Sequence, residues 1–327
     1  MKKIIILLSL FIILIIIFLS KDNRISFKGN IKDKYFEDMR KENFNFLWSK
    51  GLKNKDNYAL NDTSHKSSKQ EIINQIKNKK IIWIRSCDLD TFSELIDHLK
   101  NDIILVSGDG DLSIPSELKK SSVNKILECN KIRKWLTQNY DGTLVHPKLK
   151  TYPIGFDLHT SRTYFGIPSI FSTSNIYEKI NTLIALRQEN KINKVFCDLH
   201  LSQHTKFNNE RSRVKLILNK EKHINFLPYR ISQKEIWKKY ASHKFVVSTF
   251  GNGLDCHRTW EALFLGAIVI TKTSSLDSLY QNLPVAIVKD WDDINENNLV
   301  LWSDKYTQLT KPEYINKFYK YDYWLNK

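Results

Sequence analysis

The chain predicts an α/β fold of two doubly wound domains. Two observations carry this. From Lys79 onward strand-like apolar runs alternate with helical patterns, which implies parallel strands joined by right-handed crossovers. The segment His243 to Trp291 then joins a buried strand, a glycine turn, a helix with polar groups in its first turns and another buried strand. At 327 residues, less an N-terminal apolar segment and a polar stretch, the chain has room for two cores.

The elements follow in order. Ile4 to Leu19 is uncharged and nearly all aliphatic, behind Lys2 and Lys3. As a helix it spans about 24 Å, enough for a thin bilayer. Phe18-Leu19-Ser20 is a poor cleavage site, so residues 1–20 read as an uncleaved signal anchor. Lys21, Arg24, Lys28, Lys32 and Lys34 after the span dilute the positive-inside signal. Residues 21–70, rich in Lys, Asn, Asp and Ser with a few aromatics, read as a stem packed partly on the body. Residues 71–190 read as a first Rossmann-like domain: strand IIWIR, helix FSELIDHLK, strand IILVS, a loop, helix IRKWLTQN and strand KLKTYPIGF. A helix over about 175–190 connects the domains.

Residues 191–327 form the second domain. Strands are expected at Val195 to His200, Ile224 to Leu227, Phe245 to Thr249, Ala267 to Thr271 and Val285 to Val288. Helices are expected at Arg211 to Asn219, Ser232 to Tyr240, Asp255 to Leu265 and Leu276 to Gln281. Ligands of such sheets bind beyond the carboxyl ends of the strands. The aromatic segment Tyr314 to Trp324 is expected as a helix crossing back over the domain boundary.

The glycine turn lies at one of those strand ends. Gly251 and Gly253 flank Asn252, Asp255 is placed as the N-cap, and Gly266 closes the helix. Arg258 and Glu261 fall on one face, a turn apart, and form either an ordinary ion pair or part of a binding site. A helix N-terminus and a guanidinium fork suit a diphosphate. Arg211 and Arg213, after the first strand of this domain, and Arg230, after the second, either reach phosphate or are solvated.

The ordered string GNGLDCHRTWEALFLGAIVI, followed by LPV and DW, resembles the donor-binding half of exostosin-like glycosyltransferases, inverting enzymes of the GT-B fold. Upstream, LVSGDGD, TQNYDG, HPKLKTYPIGFDLHT and LRQEN look like blocks of exostosin-like proteins found in algae and large DNA viruses. The resemblance implies two Rossmann-like domains facing across a cleft: an acceptor side in 71–190 and a nucleotide-sugar side in 191–327, with the last helix crossing over. It implies that Gly251, Asn252 and Gly253 approach the phosphates, with Asp255 and His257 lining the site. Arg258 then binds the diphosphate, and Glu261 accepts from sugar or ribose hydroxyls. The implied donor is a uridine diphosphate sugar, and the acceptor a glycan or glycoprotein. The implied setting is a type II membrane protein facing the ER or Golgi lumen, or the equivalent membrane of a virus-infected host. One departure leaves the donor open: the family pattern has Ser-Pro before its glycine turn, whereas here Ser248 leads to Thr249-Phe250-Gly251.

Sugar transfer also needs a group that takes the acceptor proton. Asp157 and His159, after Pro153-Ile154-Gly155-Phe156, are the catalytic candidates. Asp109 and Asp111, after the strand Ile103 to Ser107, are acceptor-side candidates. Asp109-Gly110-Asp111 also looks like the manganese motif of GT-A enzymes. Such triplets are cheap, since Asp88-Leu89-Asp90 and Asp290-Trp291-Asp292 are further examples. No cofactor or divalent metal is expected with GT-B. A catalytically inactive carbohydrate- or nucleotide-binding protein is the other alternative.

The net charge of +16 is spread along the chain without a zinc-finger, basic-zipper or RNA-recognition signature, so a nucleic-acid partner is not expected. Cys87, Cys129, Cys197 and Cys256 lack zinc spacing and are too sparse for a disulfide scaffold.

Overall fold

The strand segments of the N-terminal half pair in parallel, as continuous apolar runs buried on both faces should. The computed structural model describes residues 46–54, 68–159, 163–164, 167–168, 176–188, 190–198, 205–218, 221–227, 229 and 231–327. The expected anchor Ile4 to Leu19, most of the stem, and Arg230 lie outside them. No described helix is long and apolar enough to cross a membrane.

Strands β1 (Ile81–Arg85), β2 (Ile103–Gly108), β3 (Ile132–Thr137) and β4 (Leu149–Thr151) form a parallel sheet in the order β1-β2-β3-β4. Helices α1 (Lys69–Ile76), α2 (Leu89–Ser93) and α3 (Lys120–Glu128) accompany it. Their residues Ile72, Ile76, Phe92, Val123 and Ile126 share one core with Ile82, Ile84, Ile103, Leu105, Ile132, Trp135 and Leu149 of the strands. Trp83, Val106 and Leu136 alternate with these and are also buried. On their side of β3, Lys134 Nζ donates to the Leu325 carbonyl near the chain's end, at 3.1 Å.

This half corrects three expectations. IRKWLTQN is a central strand and not a helix: Ile132, Trp135 and Leu136 have helical spacing, but backbone pairing to β2 and β4 on both sides overrides it. The expected loop before it contains α3. The strand order is sequential, so among the described residues this sheet lacks the reversal that defines a doubly wound domain.

The C-terminal half does have it. Helix α4 (Ile176–Leu186), preceded by a small hairpin of β5 (Thr163–Tyr164) and β6 (Ile167–Pro168), leads into five parallel strands. These are β7 (Ile192–Cys197), β8 (Ile224–Phe226), β9 (His243–Val247), β10 (Ile268–Lys272) and β11 (Val285–Val288), ordered β11-β10-β9-β7-β8. The chain passes outward from β7 to β8, then returns to place β9 on the other side of β7. The carboxyl ends of β7 and β9 therefore flank a topological switch point, where doubly wound sheets hold ligands. Helices α5 (Asn208–Leu218), α6 (Gln233–Ser242), α7 (His257–Phe264) and α8 (Glu296–Tyr306) complete the layers. Gly266 closes α7 as expected: its φ is +81°, its amide donates to Leu263 and that of Ala267 to Ala262, a Schellman stop.

The terminal segment is broken into α9 (Pro312–Ile315), a 3₁₀ turn (Asn316–Tyr319) and α10 (Tyr321–Leu325), where one helix was expected. Tyr319 stacks on Phe156 of the N-terminal half with ring centroids 4.9 Å apart. Phe264 meets both rings edge-on at 5.1 and 5.0 Å, and Trp260 packs on Trp324 at 5.8 Å. Removing one such ring, as in Phe156→Ala, costs about 3 to 5 kcal/mol. Phe46, Leu47, Trp48 and Leu52, inside the expected stem, are buried here too. Leu47 donates to the Tyr319 carbonyl at 2.8 Å and accepts from the Phe156 amide at 3.1 Å.

Candidate functional site

Asp198 is the first residue beyond β7, and Ser248 to Gly253 run on from β9, so the switch point is built from these two exits. Arg258 enters from the first turn of α7. Its Nε lies 2.5 Å from Asp198 Oδ1, and the Tyr240 hydroxyl of α6 donates to Asp198 Oδ2 at 2.6 Å. Burial opposes the charge on Arg258, but Asp198 outweighs it and holds the guanidinium above its usual range. Of the two alternatives for Arg258 and Glu261, the ordinary ion pair does not form, because the buried Asp198 carboxylate takes Arg258.

Arg211, in the first turn of α5, donates from Nε to the Phe250 carbonyl at 2.9 Å. Among the described residues it has no ion-pair partner, and burial together with neighbouring Arg258 lowers its pKa. Among the described residues, two guanidinium groups therefore share the Asp198 carboxylate at the switch point. Arg213 instead pairs with Asp290 on the surface.

The glycine turn closes through Gly251 N to Gly253 O, 2.9 Å. A Cβ on Gly251 would sit 3.2 Å from Arg211 Nη2 and 3.1 Å from Cys256 Sγ. Asn252 is exposed. Gly253 differs from its expected role: a Cβ there would lie 2.5 to 2.7 Å from the Asn139 amide, so a side chain and not a phosphate occupies its open side. Asn139 accepts from the Asp255 amide and donates to the Gly110 carbonyl, both at 3.0 Å.

Asp255 is likewise taken up by structure. Cys256, and not Asp255, is the N-cap. The Asp255 carboxylate accepts from the amides of Ile154 (2.8 Å) and Cys256 (3.0 Å), from Trp260 Nε1 (3.0 Å) and from the Tyr280 hydroxyl (3.2 Å). It is fully enclosed, and burial pushes its pKa up to about 6 despite those donors. It ties the two halves together.

The acceptor-side candidates converge beside this seam. Asp157 is buried; its amide donates to Glu261 Oε1 at 3.4 Å and its carbonyl accepts from Gln233 Nε2 at 3.0 Å. Its Oδ1 lies 3.6 Å from His159 Nδ1, which is also 3.2 Å from Ser49 Oγ. His159 Nε2 faces Asp109 Oδ1 at 3.9 Å. Burial lowers the His159 pKa, and Asp157 only partly offsets it. The imidazole is therefore neutral at pH 7. His257 sits 6.1 Å from His159, ring to ring, and donates from Nδ1 to the Gly155 carbonyl at 2.8 Å.

Asp109 follows β2 with φ at +51°, its amide donating to Gln138 Oε1 at 3.0 Å. Burial raises its pKa, opposed by Lys50 (3.4 Å), His159 and Arg85 (3.9 Å). Asp111 is exposed at the rim.

Asp109, Asp157, His159, His257 and Glu261 thus form one group, and Arg211, Arg258 and Gly251 a second. Sequence reasoning missed Asp198, Tyr240, Asn139, Lys50 and Arg85. Asp198 had a usable signal, a carboxylate directly after the buried strand VFC; Lys50 had none, being one lysine in a lysine-rich tract.

No protein-family model and no curated protein matches the sequence. Among solved structures, the chain is similar to an α,α-trehalose-phosphate synthase (UDP-forming) from Burkholderia vietnamiensis (9% identity, 80% of each chain, TM-score 0.38). It is similar to a glycosyltransferase from Rickettsia africae (12% identity, 79% of this chain and 77% of that one, TM-score 0.38). It is also similar to a UDP-GlcNAc 2-epimerase from Methanocaldococcus jannaschii (10% identity, 73% and 76%, TM-score 0.31). Likeness at this level leaves the function to be argued from the residues of the site.

Proposed function

We propose that this protein is a glycosyltransferase of the GT-B type, related to the exostosin-like enzymes, that moves a sugar from a nucleoside diphosphate to a glycan hydroxyl with inversion. The observation that carries the reading is the excess cation among the described residues of the switch point: Arg211 and Arg258 around the Asp198 carboxylate. A half-buried guanidinium without an ion-pair partner among the described residues, beside a strand-end loop, suits a departing diphosphate, whose charge it stabilises without a metal. Asn252 and Gly251 line this donor site, and Glu261 accepts from hydroxyls of the donor.

In the proposed step the acceptor oxygen attacks the anomeric carbon while the bond to the diphosphate breaks and the leaving oxygen keeps the electron pair. The acceptor proton passes to His159. Asp157 and Ser49 at Nδ1 favour the tautomer with Nε2 unprotonated, the nitrogen available to act as base. Asp109 is matched by Lys50 and Arg85, which argues against the GT-A alternative of a metal on Asp109 and Asp111. The wider reading keeps a uridine diphosphate donor and a single-pass anchor at Ile4 to Leu19, with the body facing a secretory lumen.

Calorimetry with UDP and GDP tests the donor site. Arg211→Gln should weaken binding by about tenfold or more, the worth of a charge-assisted hydrogen bond. Unchanged affinity in a folded variant would remove Arg211 from the site. Release of UDP from a UDP-sugar, lost in His159→Ala with nucleotide affinity retained, separates an enzyme from an inactive binding protein.

A further inference from the structure

Arg85 is the last residue of β1, and its Nε is buried without a hydrogen-bond partner. The carboxylate nearest to it is Asp109, 3.9 Å away, and the same oxygen lies closer to Lys50 Nζ, at 3.4 Å. The charge of Asp109 is therefore already shared. Among the described residues, no carboxylate other than Asp109 lies within ion-pair distance of Arg85. At the carboxyl ends of the N-terminal sheet, Arg85 and Lys50 therefore both face the Asp109 carboxylate. This cluster and the switch point adjoin the same seam, with His159 next to this one at 3.9 Å from Asp109.

A partly enclosed guanidinium whose nitrogens make no hydrogen bond among the described residues keeps its exposed part as a fork that fits two oxygens of one anion. We propose that Arg85, with Lys50 beside it, is a subsite for a carboxylate or phosphate carried by the acceptor, which places the acceptor hydroxyl against His159. The word acceptor rests on the glycosyltransferase reading; the anion site itself does not. The side chains of Arg85 and Lys50 are 32% and 23% exposed, open enough to be reached and enclosed enough to strengthen the contact.

The test titrates the full chain, saturated with UDP, with glucuronate, mannose 6-phosphate and neutral mannose. One or both anionic sugars should bind at least about tenfold tighter than mannose, with the advantage shrinking as salt rises. Preference for glucuronate identifies a carboxylate, and preference for mannose 6-phosphate a phosphate ester. Arg85→Gln should abolish the advantage and leave UDP affinity unchanged, which also shows that the variant is folded. Arg85→Lys, which keeps the charge but not the fork, should retain part of it. Equal binding of all three sugars overturns the proposal. So does an Arg85→Gln protein that loses UDP affinity as Arg211→Gln does, because the cluster would then belong to the donor diphosphate. If wild-type protein binds no UDP, the donor reading fails by itself, and the same titrations without nucleotide still decide the role of Arg85.

Discussion

Replacing Asp255 by Asn should change stability in a way that depends on pH with a definite sign. The carboxylate accepts from four donors, and an amide keeps only one acceptor oxygen, so its NH₂ must face two of them. The Tyr280 hydroxyl can turn to accept, but the Ile154 amide, the Cys256 amide and Trp260 Nε1 cannot. Losing about two buried bonds costs about 2 to 5 kcal/mol. Against this, the substitution removes a buried charge. The gap between about 6 and the ordinary 3.8 is worth about 3 kcal/mol at neutral pH. Because the folded pKa is the higher one, the folded protein binds a proton more tightly than the unfolded chain. Asp255 therefore adds stability as pH falls from about 7 towards 4, and an asparagine side chain, which does not titrate, adds none. Urea unfolding of the wild type and Asp255→Asn at pH 7, 6, 5 and 4.5 measures the difference. It should be small at pH 7, about −1 to 2 kcal/mol, and shift against the variant by a large part of 3 kcal/mol on acidification. A difference that stays flat or shifts the other way would mean that the four donors hold Asp255 ionised and that burial does not dominate.

Two further outcomes follow from the same seam. Gly253→Ala puts a methyl 2.5 to 2.7 Å from the Asn139 amide and should destabilise by about 1 to 3 kcal/mol in urea unfolding, whereas an unchanged midpoint would show that Asn139 moves aside freely. Binding of UDP should survive a chelator; an absolute need for manganese, lost in Asp109→Asn, would return the metal-dependent reading.

The C-terminal half was legible where its strands are short apolar runs, as in β10 and β11. By contrast, β7 begins three residues earlier than expected because its polar start, Ile192-Asn193-Lys194, pairs with β9, and the expected helix Leu276 to Gln281 is only a 3₁₀ turn, Asp277–Leu279. In the N-terminal half, β3 carries Arg133 and Lys134 between Ile132 and Trp135. Those charges read as the polar side of a helix, and only the fold explains them: Arg133 reaches Asp102 at the surface, and Lys134 reaches the Leu325 carbonyl. The site was legible as residue types after strand ends, for Asp109, Asp157 and His159, and in the first turn of a helix, for Arg258. Their partners were not, since Asp198 meets Arg258 from sixty positions away and Asn139 meets Asp255 from 116. Spacing along a helix offered Glu261 as a partner for Arg258, and a buried carboxylate just beyond β7 takes its place.

The bond between Leu47 and Tyr319 also sets an order of events on the ribosome. The nascent chain exposes Leu47 and Phe156 early, but neither the backbone partner of Leu47 nor the ring that stacks on Phe156 exists until Tyr319 is made. At ordinary elongation speeds that delay is roughly 15 to 50 s for Leu47 and roughly 8 to 30 s for Phe156 and the sheet before it. Through that interval the N-terminal sheet must stand without its closing strap, so its early products are open to chaperones and to other nascent chains. Any shortening that removes Tyr319 should leave the protein held in that unfinished form.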